Sequence, residues 1–223
     1  MKLIVANTKM YLNTIKEINN YQEKMENYKN YFVVAPQNIY LENFIKKGFS
    51  VASQNTSNKE KGPYTGEISP KSLNDLKVKY TLIGHSEIRK KYKEEKYYIK
   101  EKIKKSIENN LDVILCVGEK EEKKDKVYEV LEKQLNDITP NENLIISYEP
   151  VWAIGGDKIL EEEKLKKIIK FIKNKGYKKV LYGGSINENN IEKLNKINII
   201  DGFLIGRSSV NPSSLKRIIE VVK

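Results

Sequence analysis

A chain of 223 residues with 39% hydrophobic side chains holds enough apolar material for one sizeable core, which excludes a disordered polypeptide. Its formal net charge of +11 would suit a nucleic-acid or membrane-surface binder, but the basic residues are spread through helical segments with Glu between them. Residues 120–126 read K-E-E-K-K-D-K, a solvated surface of mixed sign, and no helix-turn-helix or RNA-binding aromatic pattern accompanies them, so neither nucleic acid nor membrane is expected as a partner. No apolar run approaches the roughly 18 residues of a membrane span, and residues 1–6 have a strand's composition rather than a signal peptide's. The single cysteine, Cys116, excludes an internal disulfide framework and fits a reducing cytoplasm.

Short runs rich in Val, Ile, Leu and Tyr alternate with helix-period stretches along the whole chain. Residues 3–6, 32–35 and 49–53 form the first three predicted strands, and Ser69-Pro70 then offers an N-cap with proline in the first helical turn. Strand 80–84 is followed by the helical stripe Ile99, Ile103, Ile107, and strand 113–117 by Val127, Val130, Leu131. Strand 144–148 precedes Leu165, Ile168, Ile169, Ile172, spaced i, i+3, i+4, i+7. After strands 180–182 and 199–205, Asn211-Pro212 caps a last helix with the stripe Leu215, Ile218, Ile219, Val222. Such stripes are read as core. Eight strand–helix units imply a parallel sheet with right-handed crossovers, closed as an α/β (β/α)₈ barrel in one domain, residues 1–223. The competing open doubly wound sheet usually carries G-x-G-x-x-G after its first strand; here that turn reads Ala6-Asn7-Thr8-Lys9-Met10.

In a barrel, chemistry gathers where strands end. Those positions hold Asn7 and Lys9, then Gly84-His85-Ser86-Glu87, Glu149, Gly183-Gly184-Ser185 and Gly206-Arg207-Ser208. A lone histidine is more often structural than catalytic, but His85 follows a strand-ending glycine and has Lys9 and Glu149 at matching ends. Glu149, at the rim after a buried strand, is a candidate general base, with a salt bridge to a neighbouring lysine as the bland reading. Two glycine-containing turns after strands 7 and 8 suggest a phosphate site built from backbone N–H groups; otherwise they only make tight turns. One His and one Cys cannot build the usual zinc sites, and there is no P-loop or G-x-S-x-G elbow, so no metal is expected. Cys116 reads as rim packing rather than a nucleophile.

Asn7-Thr8-Lys9-Met10, Gly84-His85-Ser86-Glu87, Cys116-Val117-Gly118-Glu119, Tyr148-Glu149-Pro150-Val151-Trp152-Ala153-Ile154-Gly155, Tyr182-Gly183-Gly184-Ser185 and the run 201–206 together resemble the triosephosphate isomerase family, in family order from strand 1 to strand 8. The resemblance implies a TIM barrel that interconverts dihydroxyacetone phosphate and D-glyceraldehyde 3-phosphate in glycolysis and gluconeogenesis, in the cytoplasm, without metal or organic cofactor. It implies that Glu149 moves the proton, His85 polarises the carbonyl as a neutral imidazole, and Lys9 supplies positive charge. Asn7 would help fix the substrate, and Glu87 would interact with Lys9 or assist proton shuttling. The segment after Glu149 resembles a lid. Gly155 would grip the phosphate with the N–H groups of Ser185 and of the Gly206-Arg207 turn, Tyr182 would hold the closed lid, and Ile154 and Leu204 would cover Glu149. The run 62–67 resembles the family's interdigitating loop, whose Thr65 would enter a partner's pocket, implying a homodimer, with a tetramer as the other assembly.

The chain departs from the family at Thr8, at the lid tip Gly155-Gly156-Asp157 and at Arg207, which stands where a second glycine is usual. It is also shorter than the roughly 250 residues typical of the fold, with the shortening around helices 5 and 6. The other readings are a phosphosugar isomerase of amino-acid biosynthesis, which shares the phosphate loops without these catalytic contexts, and a basic binding module without activity.

Overall fold

The structure, a computed structural model, describes residues 1–153 and 160–223, with residues 121 and 122 described by backbone alone. Strands β1 (Leu3–Asn7), β2 (Val33–Ala35), β3 (Ser50–Ser53), β4 (Tyr80–Ile83), β5 (Asp112–Val117), β6 (Leu144–Tyr148), β7 (Lys179–Tyr182) and β8 (Gly202–Ile205) pair in parallel and in chain order. β8 pairs back onto β1, Leu3 opposite Gly202 and Ala6 opposite Ile205, and the sheet closes. The alternation in the sequence therefore does build a (β/α)₈ TIM barrel.

The two-residue period of the strands divides the core in two. Val5, Leu82, Ile114, Cys116, Ile145, Leu181 and Leu204 form one cluster, the barrel interior. Their neighbours Ile4, Ile83, Val113, Leu115, Ile146 and Val180 join the larger cluster beneath the helices. Both faces of the strands are dry, which is why they read as continuous apolar runs.

The helices are α1 (Ile15–Met25), α2 (Leu41–Lys46), α3 (Pro70–Asp75), α4 (Ser86–Tyr92), α5 (Lys96–Glu108), α6 (Val127–Leu135), α7 (Glu162–Asn174), α8 (Ile191–Asn195) and α9 (Pro212–Val222). The stripes on α7 and α9 are buried throughout. On α5 and α6 Ile99, Ile103, Val127 and Leu131 are buried, while Ile107 and Val130 are half-buried. Ser69 accepts the Lys71 N–H at 3.2 Å and Asn211 the Ser213 N–H at 2.9 Å, so both predicted caps form ahead of their prolines. A capping box that the sequence reading passed over, Thr14 with Glu17, starts α1.

Most strands begin or end one residue away from expectation, and three departures have a cause in the structure. β4 ends at Ile83, because Gly84 turns to a left-handed φ of +68° and sends the chain into the His85 loop. β8 begins at Gly202 rather than residue 199. Ile200 donates to Ile197 O, and the Asp201 carboxylate accepts the Val180 N–H at 2.7 Å and pairs with Lys173, which makes a turn of the preceding apolar run. The β4–β5 crossover carries two helices instead of one. Lys93 at φ +49° ends α4, and Glu94 just beyond it forms a buried ion pair with Lys102 of α5 at 2.6 Å.

Residues 54–69 after β3 form a long loop clamped at its base. Ser57 N–H donates to Ile68 O at 2.8 Å and Ser69 Oγ to Glu60 O at 2.6 Å, and Thr65 stands exposed near the tip.

Candidate active site

Five strand ends, those of β1, β4, β6, β7 and β8, converge at the C-terminal mouth of the barrel. Lys9, just past β1, takes a left-handed φ of +49°, and Asn7 Oδ1 supports that turn by accepting the Lys9 N–H at 3.1 Å. Gln54, beyond β3, clamps the same turn by donating to Lys9 O and Ala35 O, both at 2.9 Å. Lys9 Nζ reaches Glu87 Oε1 at 2.7 Å. Partial burial pushes the Glu87 carboxyl up. The hydrogen bond and charge of Lys9, with His85 and Lys91, outweigh this and hold it below the usual carboxylate range.

His85 stands at the start of α4, 6% exposed. Its Nδ1 faces the Glu87 N–H at 3.4 Å as the acceptor of a long hydrogen bond, which assigns the ring proton to Nε2. That Nε2 lies 3.4 Å from Glu149 Oε2. Glu149, 4% exposed, is fixed at the end of β6 by its N–H, which donates to Val117 O at 2.8 Å. Gly183 is required beside it, since a Cβ there would fall 2.5 Å from Glu149 Cγ. Glu149 Oε1 is buried without a hydrogen-bond partner among the described residues.

After β8, Gly206 leads into a single 3₁₀ turn, Arg207–Ser209. After β7, the Asn190 side chain holds Ser185 O at 2.7 Å while Ser185 Oγ donates to Ala153 O. A short helical turn beside a glycine loop at this corner of a barrel is a common phosphate-binding arrangement.

Asn7, Lys9, His85, Glu149, Ser185, Leu204, Gly206 and Arg207 line one cavity of about 260 Å³. Of the expected supporting residues, Glu87 reaches it through Lys9. Tyr182 is buried, and burial pushes its ionisation up to about 12 against the pull of a hydrogen bond from the Leu160 backbone. Ile154 and Gly155 lie outside the described residues. Thr65 is on the exposed loop, away from this chain's own cavity lining. Ser208 lines the cavity as its strand-end position suggested, whereas Tyr11, Ile186 and Asn187 also line it and were missed. Tyr11 is two residues past Lys9, a proximity the sequence did offer, whereas one Asn in a polar loop carries no signal.

Behind Glu149, Glu119 is buried and accepts from Trp152 Nε1 at 2.7 Å and Tyr148 OH at 3.2 Å. Burial outweighs these bonds and pushes its carboxyl up. Burial likewise pushes the Cys116 thiol well up, with the charge of Glu149 adding to it, which keeps the sulfur an unreactive packing group. Among the described residues no group of three or more His, Cys, Asp or Glu could hold a metal, and no helix is long and apolar enough to cross a membrane.

Comparison with known proteins covers nearly the whole chain. The profile of the triosephosphate isomerase family matches residues 2–222. A protein named triosephosphate isomerase from Ureaplasma parvum is 38% identical over a 242-residue alignment spanning 100% of both chains. Proteins of that name from Mesomycoplasma hyorhinis (39% identical, covering 86% of this chain and 83% of the relative) and Prochlorococcus marinus (36%, covering 98% and 94%) are similar to it as well. With a family profile matched from β1 to α9 and close relatives of full length, the chain belongs to the triosephosphate isomerase family.

Proposed function

We propose that this chain interconverts dihydroxyacetone phosphate and D-glyceraldehyde 3-phosphate by proton transfer through an enediol(ate), in glycolysis and gluconeogenesis, with no metal or organic cofactor. The observation that carries the reading is the approach of His85 Nε2 to Glu149 Oε2 at 3.4 Å in a cavity they share with Lys9. A substrate that enters the cavity against this pair meets a carboxylate base and an N–H donor side by side. Glu149 takes the proton next to the carbonyl and returns it to the adjacent carbon. His85, with Nδ1 occupied by a backbone N–H, donates from Nε2 to the substrate oxygen as a neutral imidazole. The Lys9 ammonium, held by Glu87, stabilises the charge that develops on that oxygen, and Asn7 fixes the substrate.

The phosphate sits on backbone N–H groups of Ser185 and of the Gly206-Arg207 turn. The family's lid adds Gly155 and is held by Tyr182. Ile154 and Leu204 then shield Glu149, which keeps water from a reactive enediol phosphate. Residues 1–223 act as one domain, a reading supported by the pairing of β8 with β1. The working form is a cytoplasmic homodimer joined through the loop that carries Thr65.

The test is an assay that follows D-glyceraldehyde 3-phosphate formed from dihydroxyacetone phosphate through a dehydrogenase, repeated in D₂O. Rapid conversion with solvent deuterium in the product is the expected result. A folded chain that gives neither would overturn the reading.

A further inference from the structure

A second cavity, of about 900 Å³, opens on the other side of Glu149, between α4 and the loop and helix that follow β5. It is more than three times the 260 Å³ of the catalytic cavity, so it would hold a larger molecule than a triose phosphate. Gln134 sets one wall by bonding the Gly118 N–H at 2.8 Å and the Gly118 carbonyl at 3.0 Å, which fixes α6 against the end of β5. Val130, Val151 and Trp152, all half-buried, provide an apolar and partly aromatic surface.

The rest of the lining is strongly cationic. Lys90, Lys120, Lys123 and Lys133 border the cavity, and none of them makes an ion pair among the described residues. Arg89 lies deeper. Its guanidinium donates to Gly84 O at 2.6 Å and Cys116 O at 3.1 Å, and no described carboxylate bridges it. The acidic lining residues are Glu87, which pairs with Lys9, and Glu149, which approaches His85 and also attracts the Arg89 guanidinium. Five cations beside an aromatic wall match a ligand with several negative charges and a flat body.

We propose that this cavity is a second anion site and that its occupant is a nucleoside polyphosphate, with the base against Val130, Val151 and Trp152 and the phosphates among the lysines. The assignment is independent of the isomerase reading, and the isomerase assay run beside it keeps the two apart.

The test is calorimetric titration of the full chain with ATP. The fluorescence of Trp152, the only tryptophan, serves as a local reporter. Expected are one site per chain, persistence with the catalytic cavity saturated by glycerol 3-phosphate, and weaker binding of both adenosine and tripolyphosphate. Replacing Lys90, Lys123 and Lys133 by Gln should weaken ATP binding by about tenfold or more while isomerisation continues. Lys133→Gln alone should act in the same direction and serves if the triple variant misfolds. Four results overturn the site: no saturable binding, displacement by glycerol 3-phosphate, equal binding of adenosine or tripolyphosphate, or lysine variants that bind ATP unchanged.

Discussion

Burying the Glu149 carboxylate leaves Oε1 without a described hydrogen-bond partner while Oε2 faces His85 Nε2 at 3.4 Å. An amide fills the same space and cannot accept the proton. Glu149→Gln should therefore lower kcat by several orders of magnitude, beyond the roughly 10²–10⁴ typical of general-base assistance, with an unchanged circular dichroism spectrum. Near-normal turnover would remove Glu149 from the role. Arg207 is the reverse case. It is exposed on the cavity rim, and a phosphate site made of backbone N–H groups accepts any residue except proline there. Arg207→Gly should keep kcat/KM within about tenfold, near 1.4 kcal/mol, and a much larger loss would make the guanidinium a principal phosphate ligand. Glu87 gives a pH signature. Its pKa is lowered from 4.5, so its contribution to stability is present above that value and is lost as pH falls through the lower folded-state value. In urea unfolding from about pH 6 to about pH 3.5, the stability gap between the parent and Glu87→Gln should narrow at the acid end. A constant gap would show that Lys9 does not hold the carboxylate ionised.

At the scale of elements, what the sequence made legible was periodicity. The α7 stripe Leu165, Ile168, Ile169, Ile172 needs only 3.6-residue spacing to be seen, and all four side chains are buried. Ile169→Ala should cost about 2–5 kcal/mol, read as a lowered urea midpoint at constant m. A loss within 0.5 kcal/mol, the range of surface substitutions, would place α7 loosely on the barrel. Events of single-residue backbone geometry were not legible. The predicted stripe Ile99, Ile103, Ile107 lies within α5, whereas α4, ended by Lys93 at φ +49°, was not expected, and nothing marks a lysine for that conformation. The turn before β8 hid in an apolar run because the side chain that bends it, Asp201, acts through Val180 on a neighbouring strand. The site divides the same way. Lys9, His85 and Glu149 could be found at strand ends, because a barrel brings its strand ends together. Gln54, which clamps the Lys9 turn from two strands away, and Asn187 on the cavity wall depend on contacts that no local pattern encodes.

For the whole molecule, the question is what covers the loops after β1, β2 and β3. Met10 is 73% exposed, Tyr11 52%, Ile39 75% and Tyr64 43%, one or two on each of three loops that follow neighbouring strands. Such side chains, together at one quadrant of the barrel mouth, form the apolar surface expected of an interface. The loop clamped by Ser57 and Ser69 presents Thr65 from the same quadrant. A second copy that inserts this tip beside the first copy's Lys9 turn would cover the patch and brace a backbone held at φ +49°. Stability and activity would then both depend on concentration. Thr65→Arg places an unpaired charge in that contact and should weaken association by about 3–5 kcal/mol. Sedimentation velocity of both proteins, with specific activity followed on dilution, is the measurement. The parent should sediment as a dimer and lose activity only at high dilution, whereas the variant should sediment as a monomer with low activity at the same concentration. A tetramer would show a further surface at work, and a fully active parent monomer would rule out the interface.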